Sequence, residues 1–160
     1  MLHFPVHTYA QRSQLEGWLN RLGGQEHRAA LWDFVRPQPF GTVGAVVGAT
    51  VAATAAQFAK SIQLAGLGAT KTLLQGDKFS VTTSTGVQVC MVATDVTTAA
   101  GGTATVEITQ SLRGSVAAAS AVNFTKPTAL FILKDPNFKA PYDGSNKAPA
   151  FGVEFVESFV

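Results

Sequence analysis

Charge is what this chain has least of: 14% of its 160 residues are charged, against roughly 25% in an ordinary soluble domain. Twelve basic and ten acidic residues leave a net charge of +2 and form no cationic run, which argues against the clustered footprint that nucleic acid requires. Arg12, Arg21 and Arg28 are scattered around one predicted helix and read as its solvated face. Cysteine is reduced to Cys90, so an internal disulfide is excluded and nothing marks adaptation to an oxidising compartment. Cys90 lies in an apolar run and is expected in the core.

Catalytic constellations are equally scarce. Of the three histidines, His3 and His7 have an i, i+4 spacing, but Pro5 between them breaks the helix on which that spacing would bring two metal ligands together. The third, His27, lies in the same N-terminal part of the chain. No Gly-x-Ser-x-Gly or Walker pattern occurs, and Gly41, Gly44 and Gly48 are too widely spaced for a phosphate loop. Glu154 and Glu157 stand three apart on a predicted strand, which turns them to opposite faces and away from a shared substrate. The expectation is a protein that is not an enzyme and takes no metal or cofactor.

Long apolar runs are missing in a more interesting way. Residues 37–59 carry no charge and are numerous enough to raise the question of a membrane span. They consist mainly of Ala, Gly, Thr and Val, with Pro37 and Pro39 at the start and no Leu or Ile, so lipid offers them little. A small-residue loop leading into a strand is expected, with no membrane insertion. The first residues also lack a cationic stretch followed by a long apolar one, so no signal peptide is expected.

What is present is apolar: 46% of the residues are hydrophobic and eleven are Phe. That balance is the reverse of a disordered chain's and predicts a packed core. So few charges over so apolar a chain also favour a surface partly covered by other subunits.

The clearest local signal is a helix over 8–22. Thr8 and Gln11 have the Thr-x-x-Gln spacing of a capping box, Leu15, Trp18, Leu19 and Leu22 fall on one face, and Gly23-Gly24 supplies the left-handed stop. Gly17, mid-helix, is explicable as a site of close approach by a neighbour. Beyond the helix, short strands are predicted at 3–6, 29–35, 57–64, 78–83, 87–96, 103–110, 121–124, 129–133 and 152–159. Within 103–110, Ala104, Val106 and Ile108 alternate with Thr105, Glu107 and Thr109, and Gly101-Gly102 would turn the 87–96 strand into it as a hairpin. The fold class is therefore mainly β, a sandwich or barrel with one N-terminal amphipathic helix. Prolines at 37, 39 and 127 bracket a change in composition, which predicts a core made by 1–41 with 127–160 and an inserted β module over 42–126.

One cluster stands apart, the aromatic and proline stretch Trp32, Asp33, Phe34, Val35, Arg36, Pro37, Gln38, Pro39 and Phe40. Its prolines forbid a central strand, and aromatic residues with Arg are the types enriched at interfaces. Trp32, Phe34, Arg36, Pro37, Pro39 and Phe40 are candidate subunit-interface residues, joined by Phe155 and Phe159 of the last strand, which can close its own sheet or pair with a neighbour.

Taken in order, several motifs resemble those of minor tail proteins of tailed bacteriophages and prophages, of the distal-tail or baseplate type. They are the helix through Leu15, Gly17, Trp18 and Leu22; Trp32-Asp33 with the proline turn to Phe40; the stretch from Leu73 through Gly76-Asp77 to Val81; Val92 to Thr97 with the hairpin to Ile108; Ser111-Leu112-Arg113; and the segments 127–133 and 152–157. The sequence departs from that group in its Ala-rich loop over 43–56 and in having fewer strands ahead of the helix. The resemblance implies a structural virion protein made in the host cytoplasm. It would form a homo-oligomeric ring, hexameric by the same resemblance, between tail tube and tip, in contact with other tail proteins. Alternatives are a head decoration or head–tail connector subunit, or a host-glycan-binding module.

Overall fold

A computed structural model describes residues 2–4, 8–135, 137 and 150–158. Pro5, His7 and Phe159 lie outside the described residues, so one member of the histidine pair and one candidate interface position fall there. The chain divides into two compact units, Met1–Ala30 with Leu130–Ser158, and Leu31–Ala129 with Phe159–Val160.

The terminal unit opens with β1 (Leu2–Phe4) and the predicted helix, α1 (Tyr9–Arg21). Thr8 is its N-cap and the full capping box with Gln11 is present, while Arg21 sits in the last turn, where it complements the helix dipole. Leu19 and Leu22 are buried, and the Trp18 ring packs on Phe155 with centroids 6.0 Å apart. A Cβ at Gly17 would meet nothing within 4 Å, so close approach does not explain that glycine.

β1 pairs with β12 (Phe151–Val153). A second sheet has the order β13 (Phe155–Glu157), β11 (Ala129–Leu133), β2 (Ala29–Leu31). Two expected strands are therefore corrected. The 29–35 strand stops at Leu31 because Asp33 Oδ1 accepts from Val35 N–H at 3.0 Å and turns the chain. The 152–159 strand is two short ones broken at Glu154, whose carbonyl takes Lys134 N–H.

In the central unit, β3 (Thr50–Val51), β4 (Ser61–Ala65) and β9 (Ala104–Glu107) form one antiparallel sheet; β10 (Val122–Asn123), β6 (Lys78–Thr83) and β7 (Gly86–Met91) form another. The two sheets join at both edges. Thr50 bridges Ala121 and Val92 bridges Ile108, reinforced by Val51 N–H to Ser120 O and Thr109 N–H to Met91 O, both 2.9 Å. The order β3-β4-β9-β7-β6-β10 thus returns to β3. These bridges give each of the six strands a neighbour on both sides, the arrangement by which a barrel protects short strands. The expected hairpin from the 87–96 strand into β9 is corrected here: β9 ladders with β4, and meets β7 only at its far end. The remaining pair, β5 (Thr72–Leu73) with β8 (Val96–Thr97), takes Val96, the last residue of that expected strand.

Alternation places the core. Ile62 and Leu64 from β4, Val106 from β9, Phe79 and Val81 from β6 and Cys90 from β7 all point inward and are buried. The Phe79 and Phe124 rings meet at 5.5 Å. Gln88 is a buried polar member whose amide is matched on both sides: Nε2 donates to Ser111 O and Oε1 accepts from Arg113 N–H. The predicted inward set Ala104, Val106 and Ile108 is the observed one, with Thr105, Glu107 and Thr109 exposed. Among the described residues no helix is long and apolar enough to cross a membrane.

Candidate functional site

The stretch 32–41, expected with the terminal core, belongs to the central unit. The physical reason is a single carboxylate. Asp77, 3% exposed, accepts Phe40 N–H on Oδ1 at 2.7 Å and both Gly41 N–H (3.1 Å) and Leu74 N–H (2.8 Å) on Oδ2. A buried charge satisfied by several N–H donors is a strong local tie. Gly41 makes the approach possible: a Cβ there would come within 2.1 Å of Thr72 O, so no other residue fits without moving the backbone.

The anchor fixes one end of a loop whose tip faces solvent. Phe34 is 56% exposed, Val35 86% and Phe40 70%, while Pro39 is buried. At the other end, Lys78 Nζ donates to Asp33 Oδ2 at 2.7 Å. That hydrogen bond, with a smaller contribution from Val35 N–H, holds the Asp33 carboxyl below its ordinary value, against the opposing pull of partial burial. Lys126 N–H donates to Pro37 O at 2.6 Å, and its residue sits at φ +48°, a left-handed conformation uncommon for a residue bearing a side chain.

Rings and cations complete the surface. Trp32 and Phe34 lie 4.6 Å apart at 42°. Lys126 Nζ stands 5.1 Å over the Trp32 ring and Arg36 Cζ 5.6 Å over Phe40, within reach of cation–π attraction. Arg36 Nη1 also donates to Gly76 O at 3.4 Å. The result is an exposed aromatic ridge with cations at its margin, a composition typical of interface centres.

The predicted interface residues do not all belong to this ridge. Phe155 is in the terminal unit, half-buried against Trp18. Of the arginines read as a solvated face, Arg12 is buried, with Glu16 at 2.7 Å. Glu154 pairs with Lys134 at 2.6 Å, each shifting the other toward its charged form. Asp77 and Lys126 were not legible as ridge residues, since Gly76-Asp77 reads only as a turn and the Asp77 partners lie up to 37 positions away. Phe58 is a further exposed aromatic, 70% accessible and at φ +66° in the turn before β4.

A cavity of about 470 Å³ beside β4 and β9 is lined by Ala52, Gln63, Leu64, Val96, Thr97, Ala99, Thr103, Ala104 and Thr105. Its lining contains no titratable group. No group of three or more potential metal ligands occurs among the described residues. Compared with known family models the sequence matches none, and no curated protein is significantly similar to it.

Proposed function

We propose that this chain is a structural subunit of a tailed-phage virion, assembling as a ring at the distal tail or baseplate and joining tube to tip. The observation that carries the reading of a subunit covered by partners is the ridge of Phe34, Val35 and Phe40, large apolar side chains exposed on a loop that the buried Asp77 carboxylate anchors at Phe40. Apolar surface is costly to expose, at about 25 cal/mol per Å², and a rigid scaffold that keeps it exposed makes sense where a partner covers it. The order of motifs from the helix to the last strands supplies the phage part of the reading. Neither tryptophan favours the glycan alternative: Trp18 packs on Phe155, and Trp32 already carries Phe34 and Lys126.

Two measurements test the proposal. Mass in solution should exceed that of one chain, and a label on the protein should locate at the tail end of intact particles. A stable monomer absent from purified virions would sink it; a label on the head would move the protein to the decoration or connector class.

A further inference from the structure

The ridge has a charge as well as an apolar face. Asp33 is neutralised by Lys78 at 2.7 Å and Asp77 is buried among N–H donors, so neither presents a free carboxylate at the surface. Arg36 and Lys126 are exposed, and among the described residues neither forms an ion pair; both lie over rings instead. What the ridge presents outward is thus aromatic and cationic.

A second copy of this chain, meeting it ridge to ridge, is poorly matched to that surface. It carries a net charge of +2, and two ridges meeting would bring like charges together. Several of its carboxylates are engaged within the chain: Glu16 with Arg12, Glu154 with Lys134, Glu107 with the Thr94 hydroxyl and Asp95 with Gln75 N–H.

We propose that the ridge receives an unlike protein, through a segment in which carboxylates bracket apolar side chains, and that copies of this chain meet elsewhere. The proposal rests on reading the ridge as an assembly surface. Charge complementarity identifies the partner's chemistry: carboxylates would draw Arg36 and Lys126 into ion pairs while Phe34, Val35 and Phe40 exclude water around them. The loop is pre-organised for this. The Asp77 anchor, the Asp33 turn and the Lys126 N–H to Pro37 O bond hold it without a partner, which lowers the ordering cost of binding.

The geometry supplies its own optical readout, because Lys126 sits over Trp32. The full chain, with Trp18→Phe to leave one tryptophan, is titrated with synthetic peptides: one alternating Glu with Phe and Leu, the same peptide with Lys for Glu, and one alternating Glu with Ser. The first should change Trp32 emission and bind, more weakly as salt rises, and the other two should not. Phe40→Ala and Arg36→Glu, both at exposed positions, should each weaken it at least about tenfold; Arg36→Gln, the milder variant, should weaken it less. Self-association, measured by mass, should be unchanged in all three.

Equal binding of the Lys peptide, or no binding of the Glu–Phe–Leu peptide, overturns the proposal. So does loss of self-association in the ridge variants, which would make the ridge the contact between copies. A chain that binds the peptide yet is missing from virions keeps the partner chemistry and loses the phage reading. One that is found in virions but binds no peptide does the opposite.

Discussion

The two units of this chain solve the same problem differently. The central unit closes six short strands into a ring and buries side chains such as Leu64, Phe79 and Val106 completely. The terminal unit assembles one helix and two small sheets from distant parts of the chain, and much of its apolar surface is only half-covered: Leu15, Trp18 and Phe155 are all intermediate in exposure. Closure is what makes the difference. A strand in a closed ring spends its backbone groups on both neighbours and its alternate side chains on one interior, whereas β13 ladders on one side only. The central unit is therefore the stiffer platform, and it is the one that holds an exposed ridge in place.

The comparison breaks most readily in the barrel. Phe79→Ala removes a fully buried ring packed on Phe124 and should cost about 3–5 kcal/mol. Amide exchange should accelerate through β6, β7 and β10 with little change in α1; equal acceleration of α1 would mean that the units do not unfold separately.

A smaller effect is expected from Asp77→Ala, which strips the acceptor from Phe40, Gly41 and Leu74 N–H groups and should cost about 1.5–3 kcal/mol. Asp77→Asn should recover only part of it, since one acceptor becomes a donor facing N–H. Exchange at Phe40 and Gly41 should rise before the barrel amides do; protection that survives at both would remove Asp77 as the anchor.

The terminal unit should respond with the opposite sign to Gly17→Ala. The site is open and helical, so the substitution should stabilise α1 by about 1 kcal/mol, read as slower exchange along the helix. A loss of stability would show that Gly17 is held by something other than helix geometry.

The smallest expected effect is on acid titration of the ridge. Asp33 has its carboxyl lowered from 3.8 by Lys78, so the folded state binds its proton less readily than the unfolded chain. The pair's contribution is fully present above 3.8 and is lost as pH falls through the lower folded value. Both side chains are partly exposed, which limits it to about 0.2–1 kcal/mol. Wild type and Asp33→Asn should accordingly differ in stability at neutral pH and converge at low pH; a gap that persists in acid would assign the difference to the turn instead.

Much of the local structure was legible. The capping box and the Leu19, Leu22 face announced α1, and β6 and β11 occupy the predicted residues. Errors fell where a turn competes with strand propensity. Asp33 ends β2 early, and Phe58, at φ +66° with its N–H on Leu112 O, delays β4 to Ser61. The ridge was visible as composition, an aromatic and proline cluster, but not as geometry.

By itself, then, the sequence determined the fold class, the helix and its ends, the alternation that makes a core and the poverty of surface charge. Each depends on neighbours a few positions apart, through hydrogen bonds and side-chain periods that composition and spacing encode. Tertiary structure alone decided that β3 returns to β10 and β9 to β7, that residues 31–41 join the barrel, and that Phe34, Val35 and Phe40 stay in water. Those outcomes depend on pairings between distant residues, Asp77 with Phe40 and Lys78 with Asp33, whose partners are chosen only when burial makes an unmatched polar group too costly to leave.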